Sequence, residues 1–309
     1  MDKYKFKYSL IIPHHETPDL LCRCLESVPY RDDLQIIVVD DNSKDNDKYL
    51  EKYPILGRRN VLYVPTKEGR GAGYARNVGL RFAEGKWLMF ADSDDYYDEK
   101  AFEIIDGNLS DDLDILYFNV TYKGKFNIVV LKINEKYSSY LKSGNSIDVR
   151  FCCWTPWNKV ISHKLVVENN LLFDEIPSGN DAMFALNASK HAKTYKIIQD
   201  KLYYYQSDNP NSITFKKRSF EKKMAALRIH IKISNFMIEN GYWWLSPNIL
   251  ERKTLYSLFI DDGFKKVIDY FSYLHRNYGI LKAFGVSFIY YMRQIRFYIG
   301  LLISRPCVV

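Results

Sequence analysis

Lys86-Trp-Leu-Met-Phe-Ala-Asp-Ser-Asp-Asp-Tyr-Tyr-Asp98 changes abruptly from oil to charge. Trp87 to Ala91 form an unbroken apolar run, the pattern of a strand buried on both faces, and three of the next four residues, Asp92, Asp94 and Asp95, are carboxylates. Carboxylates crowded at the end of a buried strand repel one another and raise each other's pKa unless a cation sits among them. Mg²⁺ or Mn²⁺, bound through one or two carboxylates and completed by substrate phosphates, meets that need. The stretch therefore points to a metal bridging the protein and a diphosphate. The ordinary alternative is an acidic turn that caps a helix starting near Asp98, and the stretch alone leaves both open.

Upstream, Tyr8 to Pro13 reads as a first strand, and Thr17-Pro18 supplies an N-cap and an N1 proline for a helix through about Ser27. A second strand, Gln35 to Val39, runs into Asp40-Asp41-Asn42-Ser43. The right-handed crossover of such a βαβ unit makes the strands parallel. Ligands of open parallel sheets bind beyond the carboxyl ends of the strands, where Pro13, His14, His15, Asp40 and Asp41 fall. A carboxylate there can accept hydrogen bonds from a nucleobase or a ribose, or simply satisfy turn amides. Val61 to Val64 is a third strand. The glycines after it, Gly69, Gly71 and Gly73, do not give G-x-G-x-x-G, and Gly85-Lys86 lacks the spacing and hydroxyl of a P-loop. A helix from Gly73 to Glu84 carries Arg76 and Asn77 in its first turn. A cation is poorly placed there against the helix dipole, and an anionic ligand gives it a reason.

Downstream, a helix to about Leu109 precedes Asp114 to Tyr122 and Phe126 to Ile133, read as a hairpin around Lys123-Gly124-Lys125. Cys152 to Lys159 is aromatic and proline-broken, so it is expected to be irregular. Trp154 and Trp157 are candidates for stacking on an acceptor sugar, with core packing as the ordinary use of such residues. Asp181 stands before a helix over Ala182 to Lys190, where capping is its ordinary explanation. Thr194 to Ile198 and Leu202 to Gln206 are short strands. From Ser219 to Ser304 the pattern is helical, with a fresh start at Ser246-Pro247 and breaks at Gly279 or Gly285. The expected organisation is an α/β domain over 1–215 and a helical region over 216–309.

Composition sets the outer limits. The 47% apolar fraction is ample for a core, and the net charge of +7 is uneven. From Phe264 onward seven basic residues (Lys265, Lys266, Arg276, Lys282, Arg293, Arg296 and Arg305) face Asp269 alone. Five cysteines (Cys22, Cys24, Cys152, Cys153 and Cys307) include no C-x-x-C pair, which argues for reduced thiols in a cytoplasm. The start is too polar to be expected of a signal peptide, and no run of about 18 uncharged apolar residues offers a membrane span. In the last helix Phe288, Tyr291, Met292, Ile295, Ile299 and Leu302 share a face, with Arg293 and Arg296 elsewhere on the circumference. That combination suits an amphipathic helix on an anionic membrane surface, while packing on the catalytic domain or a homodimer contact explains the stripe as well. Basic residues interleaved with aliphatic ones, and no recognised motif, argue against nucleic acid.

Several segments taken in order resemble the inverting family 2 glycosyltransferases of bacterial surface-polysaccharide type. They are Ser9-Leu-Ile-Ile-Pro13, Ile37-Val-Val-Asp-Asp-Asn-Ser43, Ala75-Arg-Asn-Val-Gly79, Phe90-Ala-Asp-Ser-Asp-Asp95, Trp157-Asn-Lys159, Gly179-Asn-Asp181 and Tyr203-Tyr-Tyr205 through Ser212-Ile-Thr214. The resemblance covers about residues 7–215. It implies a GT-A fold, a Rossmann-like and mostly parallel central sheet flanked by helices, here with a C-terminal helical extension. It also implies a nucleotide-sugar donor, a UDP-sugar above all, and a hydroxyl of a glycan or lipid-linked glycan as acceptor. Carried over residue by residue, Asp41 recognises the base with Pro13 and Glu16 bordering its pocket. Arg76 contacts the base or phosphate; Asp92 and Ser93 lie on the donor. Asp94 binds Mn²⁺ or Mg²⁺, and Asp181 is the general base. Lys159 joins Trp154 and Trp157 as acceptor-side candidates. Two departures stand out: Asn180-Asp181 where the family often has Glu-Asp, and Gln206 where it often has Arg. His14-His15 is unusual and has no role. A sugar nucleotidyltransferase is the rival enzyme, although the loop His14-His15-Glu16-Thr17-Pro18 lacks the glycine-rich basic character expected of it. A non-catalytic glycan-binding scaffold is the rival of another class, disfavoured by the joint presence of Asp92, Asp94 and Asp181.

Overall fold

β1 (Phe6–His14) and β2 (Leu34–Asp41) are buried along almost their whole length, as strands covered on both faces must be. The computed structural model describes residues 4–124, 127–207 and 219–303. α1 (Pro18–Glu26) connects the two strands, starting at Pro18, whose missing N–H costs nothing in a first turn. The strands pair in parallel from Tyr8 opposite Leu34 to His14 opposite Asp40. α2 (Tyr49–Lys52) is a single turn leading to β3 (Val61–Thr66), and α3 (Ala72–Phe82) returns to β4 (Gly85–Phe90). Leu10, Ile11 and Ile12 are fully buried in β1. Burying each such side chain stabilises by about 1.5–3 kcal/mol. α3 lies so close to β1 that a Cβ on Gly79 would sit 2.5 Å from Ile11 Cγ2.

The remaining elements of this part are β5 (Tyr96–Tyr97), α4 (Ala101–Asp106), β6 (Ile115–Lys123), α5 (Ile128–Ser143), α6 (Ile147–Cys152), β7 (Lys159–Ser162), α7 (His163–Glu168), α8 (Ala182–His191) and β8 (Tyr195–Gln206). The eight strands form one sheet in the order β3-β2-β1-β4-β7-β6-β8-β5. From β3 to β4 every pairing is parallel, and β7 then runs antiparallel between β4 and β6. All three loops after β1, β2 and β4 therefore open at one edge. Away from that edge, Asp106 of α4 accepts hydrogen bonds from Tyr8 Oη at 2.7 Å, from Lys7 and from Arg31, which also pairs with Asp33. Burial opposes ionisation of Asp106, but these donors prevail and pull its carboxyl down to about 2.

Several expectations are corrected. The second arm of the expected hairpin is α5: Asn127 caps it by accepting from the amides of Val129 and Val130, and Val130, Ile133 and Tyr137 bury one helical face. Its β-branched residues read locally as a strand, and tertiary packing on the sheet decides otherwise. Lys125 and Phe126 lie outside the described residues. The two short strands after residue 194 are the single strand β8, and α6 and β7 flank the irregular segment.

The chain divides into two compact units, Met1–Phe215 and Lys216–Val309. In the second, α9 (Phe220–Glu239), α10 (Arg252–Ser257), α11 (Phe264–Asn277) and α12 (Ile280–Ile303) enclose their own core, including Leu227, Ile231, Leu258, Tyr270 and Leu274. Gly279, at φ +89°, makes the break between α11 and α12, whereas Gly285 continues α12. α12 turns Ala283 and Val286 inward and leaves Leu281, Phe284, Phe288, Met292 and Ile295 exposed. Tyr291, expected on that stripe, is half-buried and accepts a hydrogen bond from Asn248 at 3.0 Å. The side chains of Arg293, Arg296, Ile299 and Leu302 lie outside the described residues, as do Arg305 and the Ser212-Ile-Thr214 segment. Among the described residues no helix is long and apolar enough to cross a membrane.

Candidate active site

Beyond Phe90 the chain turns at once, the Asp95 amide donating to the Asp92 carbonyl at 3.1 Å. The three carboxylates then separate. Asp95 points inward and is buried, accepting from Tyr203 Oη at 2.9 Å and from the Gln206 amide at 2.8 Å. Burial, followed by the charges of Asp94 and Asp92, raises its pKa well above the ordinary value. Tyr203 Oη also accepts the Asp92 amide at 2.9 Å, so β8 anchors the turn from below. Asp92 and Asp94 remain half-exposed at the sheet edge.

Arg76, in α3 and almost fully buried, ties this turn to a second loop. One Nη donates to Asp92 Oδ1 at 2.5 Å and the other to Asn180 Oδ1 at 2.9 Å, while the guanidinium lies 5.4 Å over the Phe173 ring. Asn77 beside it exchanges hydrogen bonds with the backbone of Phe173 at 2.8 and 2.9 Å and reaches Glu175 at 3.1 Å. Only glycine fits at the start of α3, because a Cβ on Gly73 would fall 2.2 Å from the Asp174 carbonyl oxygen. The loop so held delivers Asp181 to the first position before α8, yet its side chain makes no capping hydrogen bond. The ordinary explanation for Asp181 is therefore not realised. Burial raises its pKa, and the nearby positive charge of Arg76 opposes the shift.

At the tips of β1 and β2 the carboxylates serve the backbone. Asp41 accepts from the amides of Arg70 at 3.1 Å and Gly71 at 2.5 Å, fixing the loop before α3. Each oxygen keeps a second lone pair for a ligand. Asp40 is wholly buried, holding the Ser43 amide at 2.7 Å, and His14 Nε2 lies 3.6 Å from its other oxygen. Burial outweighs that neighbour and lowers the His14 pKa to about 4, so the ring is neutral. His15 Nδ1 meets the Asp41 carbonyl at 3.0 Å. Glu16, at φ +57°, joins its amide to Ser43 and its carboxylate to the Lys44 amide, both at 2.8 Å. Pro13 is buried in β1 opposite Val39.

This edge has known counterparts. The family model for glycosyl transferase family 2 matches residues 9–157. This part of the chain resembles a family 2 glycosyltransferase domain. Staphylococcus aureus TarS, a poly(ribitol-phosphate) beta-N-acetylglucosaminyltransferase, is 27% identical over 239 residues, 73% of this chain and 40% of that protein. A poly(ribitol-phosphate) beta-glucosyltransferase of Bacillus spizizenii is 28% identical over 219 residues, 64% of this chain and 32% of that protein. The chain thus spans less than half the length of these curated relatives. The crystal structure of TarS 1-349 in complex with UDP-GlcNAc matches with a TM-score of 0.69 at 18% identity, covering 88% of this chain and 80% of that one. The α/β architecture expected from the sequence, helices packed on a mostly parallel sheet, is the TarS fold.

Pro13, at the end of β1, Arg76, in the first turns of α3, and Glu16, Asp41, Asp92, Ser93, Asp94 and Asp181 all lie toward one edge of the sheet. Not all the acceptor-side candidates lie there. Trp157 is buried and stacked on Tyr203 at 4.9 Å. Lys159 is fully buried, its ammonium donating to the carbonyls of Cys153 and Thr155 and to Asn158 at 2.6–2.7 Å. These two hold the irregular segment together, and the interior contacts that claim them, Tyr203 of β8 for one and three loop oxygens for the other, are not visible in local sequence. Trp154 is half-buried, with its indole N–H on the Phe151 carbonyl.

Among the described residues no three His, Cys, Asp or Glu side chains form a metal cage. A cation completed by phosphate oxygens needs only one or two carboxylates. Asp94 and Asp92 fit that donor set, being the two carboxylates of the turn that remain half-exposed at the sheet edge. The roles not read from sequence are those of Asp95, the pin beneath the turn; of Asn77 and Glu175, which hold the loop of Asp181; and of Arg23. A polar residue paired to a distant loop leaves no local periodic signal.

Proposed function

We propose that the chain transfers a sugar from a UDP-sugar to a hydroxyl of a surface-polymer glycan, with inversion at the anomeric carbon. One observation carries the reading: Arg76 spans Asp92 of the acidic turn and Asn180, whose neighbour is Asp181. Donor-phosphate chemistry and base chemistry thus meet on the two sides of one guanidinium. Asp181 accepts the proton of the acceptor hydroxyl as that oxygen bonds to the anomeric carbon and the carbon's bond to the diphosphate oxygen breaks. Arg76 stabilises the charge that develops on the departing diphosphate. Asp94, with Asp92, would hold Mn²⁺ or Mg²⁺, which supplies Lewis-acid stabilisation of the same charge. Asp41, Pro13 and Glu16 border the base. The relatives' names favour a poly(polyol-phosphate) or similar glycopolymer as acceptor.

The exposed α12 stripe and the lysines near it support peripheral attachment of the second unit to an anionic membrane face, where such a polymer grows. A homodimer through the stripe is the other outcome a test separates. Incubation with a panel of nucleotide sugars decides the reaction class. Slow nucleotide diphosphate release supports the transferase, pyrophosphate release marks a nucleotidyltransferase, and neither marks a non-catalytic scaffold.

A further inference from the structure

Arg23 leaves the last turn of α1 and reaches the main chain of the acidic turn. Its guanidinium lies 5.3 Å over the Tyr96 ring, which is itself stacked on Tyr204 at 4.9 Å. One Nη donates to the Asp94 carbonyl and the other to Gln206 Oε1 at 3.1 Å. The Nε–H is buried and has no hydrogen-bond acceptor among the described residues. Every partner in these contacts is neutral: a carbonyl, an amide oxygen and an aromatic face. Arg76 differs, because Asp92 already answers part of its charge.

A guanidinium held by neutral groups keeps its full charge for an anion and is pre-oriented to meet it. Its place is fixed relative to the main chain of Asp94, the expected metal ligand. It also touches Gln206, the position where the resemblance calls for a strand-end arginine. We propose that Arg23 is a second cation of the donor site, contacting the diphosphate while it positions the Asp94 turn. The charge missing from β8 is thus supplied by α1. This inference rests on the donor-site reading above.

The test is calorimetric titration of the full chain with UDP in the presence of Mn²⁺, with uridine as the phosphate-free control. It compares wild type, Arg23→Gln, Arg23→Lys, Gln206→Arg and the exchange Arg23→Gln/Gln206→Arg, each with a melting curve. Arg23→Gln is expected to weaken UDP binding about tenfold or more, the scale of a charge-assisted hydrogen bond, and to leave uridine binding unchanged. Arg23→Lys should recover part of the loss and the exchange variant most of it. Wild-type UDP affinity in Arg23→Gln would overturn the inference alone. So would a loss shared equally by uridine, or one that neither Lys nor the exchange relieves, because a purely structural role behaves that way. Failure of wild type to bind UDP would overturn the donor-site reading and this inference with it.

Discussion

Arg76 Nη2 and Asp92 Oδ1 stand 2.5 Å apart, an ion pair in which the arginine is almost fully enclosed and the aspartate a third exposed. The pair joins α3 to the turn after β4, and the second arm of the guanidinium extends the link to Asn180. Arg76→Lys retains the charge and loses the fork, so it cannot serve both oxygens. It should lower transfer by about a hundredfold and cost about 1–3 kcal/mol of stability. Steady-state kinetics and denaturant melts check both numbers, and a variant with normal turnover would break the proposed link between the two loops.

Asp181 must be ionised to take a proton. Asp181→Asn should leave UDP affinity nearly intact while transfer falls about a hundredfold or more. Because burial raises the Asp181 pKa above its ordinary 3.8, the wild-type kcat should rise with pH through that elevated value and then level off. Removing the opposing charge in Arg76→Gln should move the acid limb to still higher pH. A pH–rate profile whose acid limb ignores both substitutions would remove Asp181 from the role.

Asp94→Ala should weaken both Mn²⁺ and UDP binding, because the two share the turn. Calorimetry with each ligand separately measures this, and unchanged affinities would end the metal assignment to Asp94.

Asp106 gives a stability prediction with a defined sign. Its folded pKa of about 2 lies below the ordinary 3.8, so its ion pairs stabilise the fold above 3.8 and lose that effect as pH falls toward 2. The gap in melting temperature between wild type and Asp106→Asn should be constant near neutrality, shrink below about pH 4 and close near pH 2. A gap that persists at pH 2 would mean the carboxylate acts through packing rather than charge.

Gly73→Ala places a methyl group against the Asp174 carbonyl. The overlap should cost about 1–3 kcal/mol and displace the loop leading to Asp181. Transfer should fall more than UDP affinity does, which parallel kinetic and binding measurements on one preparation will show.

The parallel half of the sheet was legible because strands buried on both faces are written as unbroken apolar runs, and β1, β2 and β4 each end in polar residues at the functional edge. Asp92 and Asp94 could be named from their places in that grammar, whereas Asp181 was named only through the family resemblance. α5 was misread because Ile128, Val129 and Val130 are β-branched, and the cap supplied by Asn127 is a single residue against that local preference. Trp157, for which core packing stood beside acceptor stacking, and Lys159, an acceptor-side candidate, are both interior. Nothing in a one-dimensional pattern states that a lysine will find three oxygens in its own loop. Arg23 escaped for the converse reason: on α1 it reads as an ordinary helix C-terminal cation, and only the folded chain brings it to Asp94.

Asp41 spends one oxygen on the main chain of Arg70 and the other on that of Gly71. A single carboxylate is thereby the latch for the whole segment between β3 and α3. A guest that takes the free lone pair of either oxygen alters the strength of the latch, and whatever clamps the segment must in turn weaken or strengthen the guest by the same free energy. Arrival at the tip of β2 and the posture of a neighbouring loop are, on this arrangement, two readings of one equilibrium.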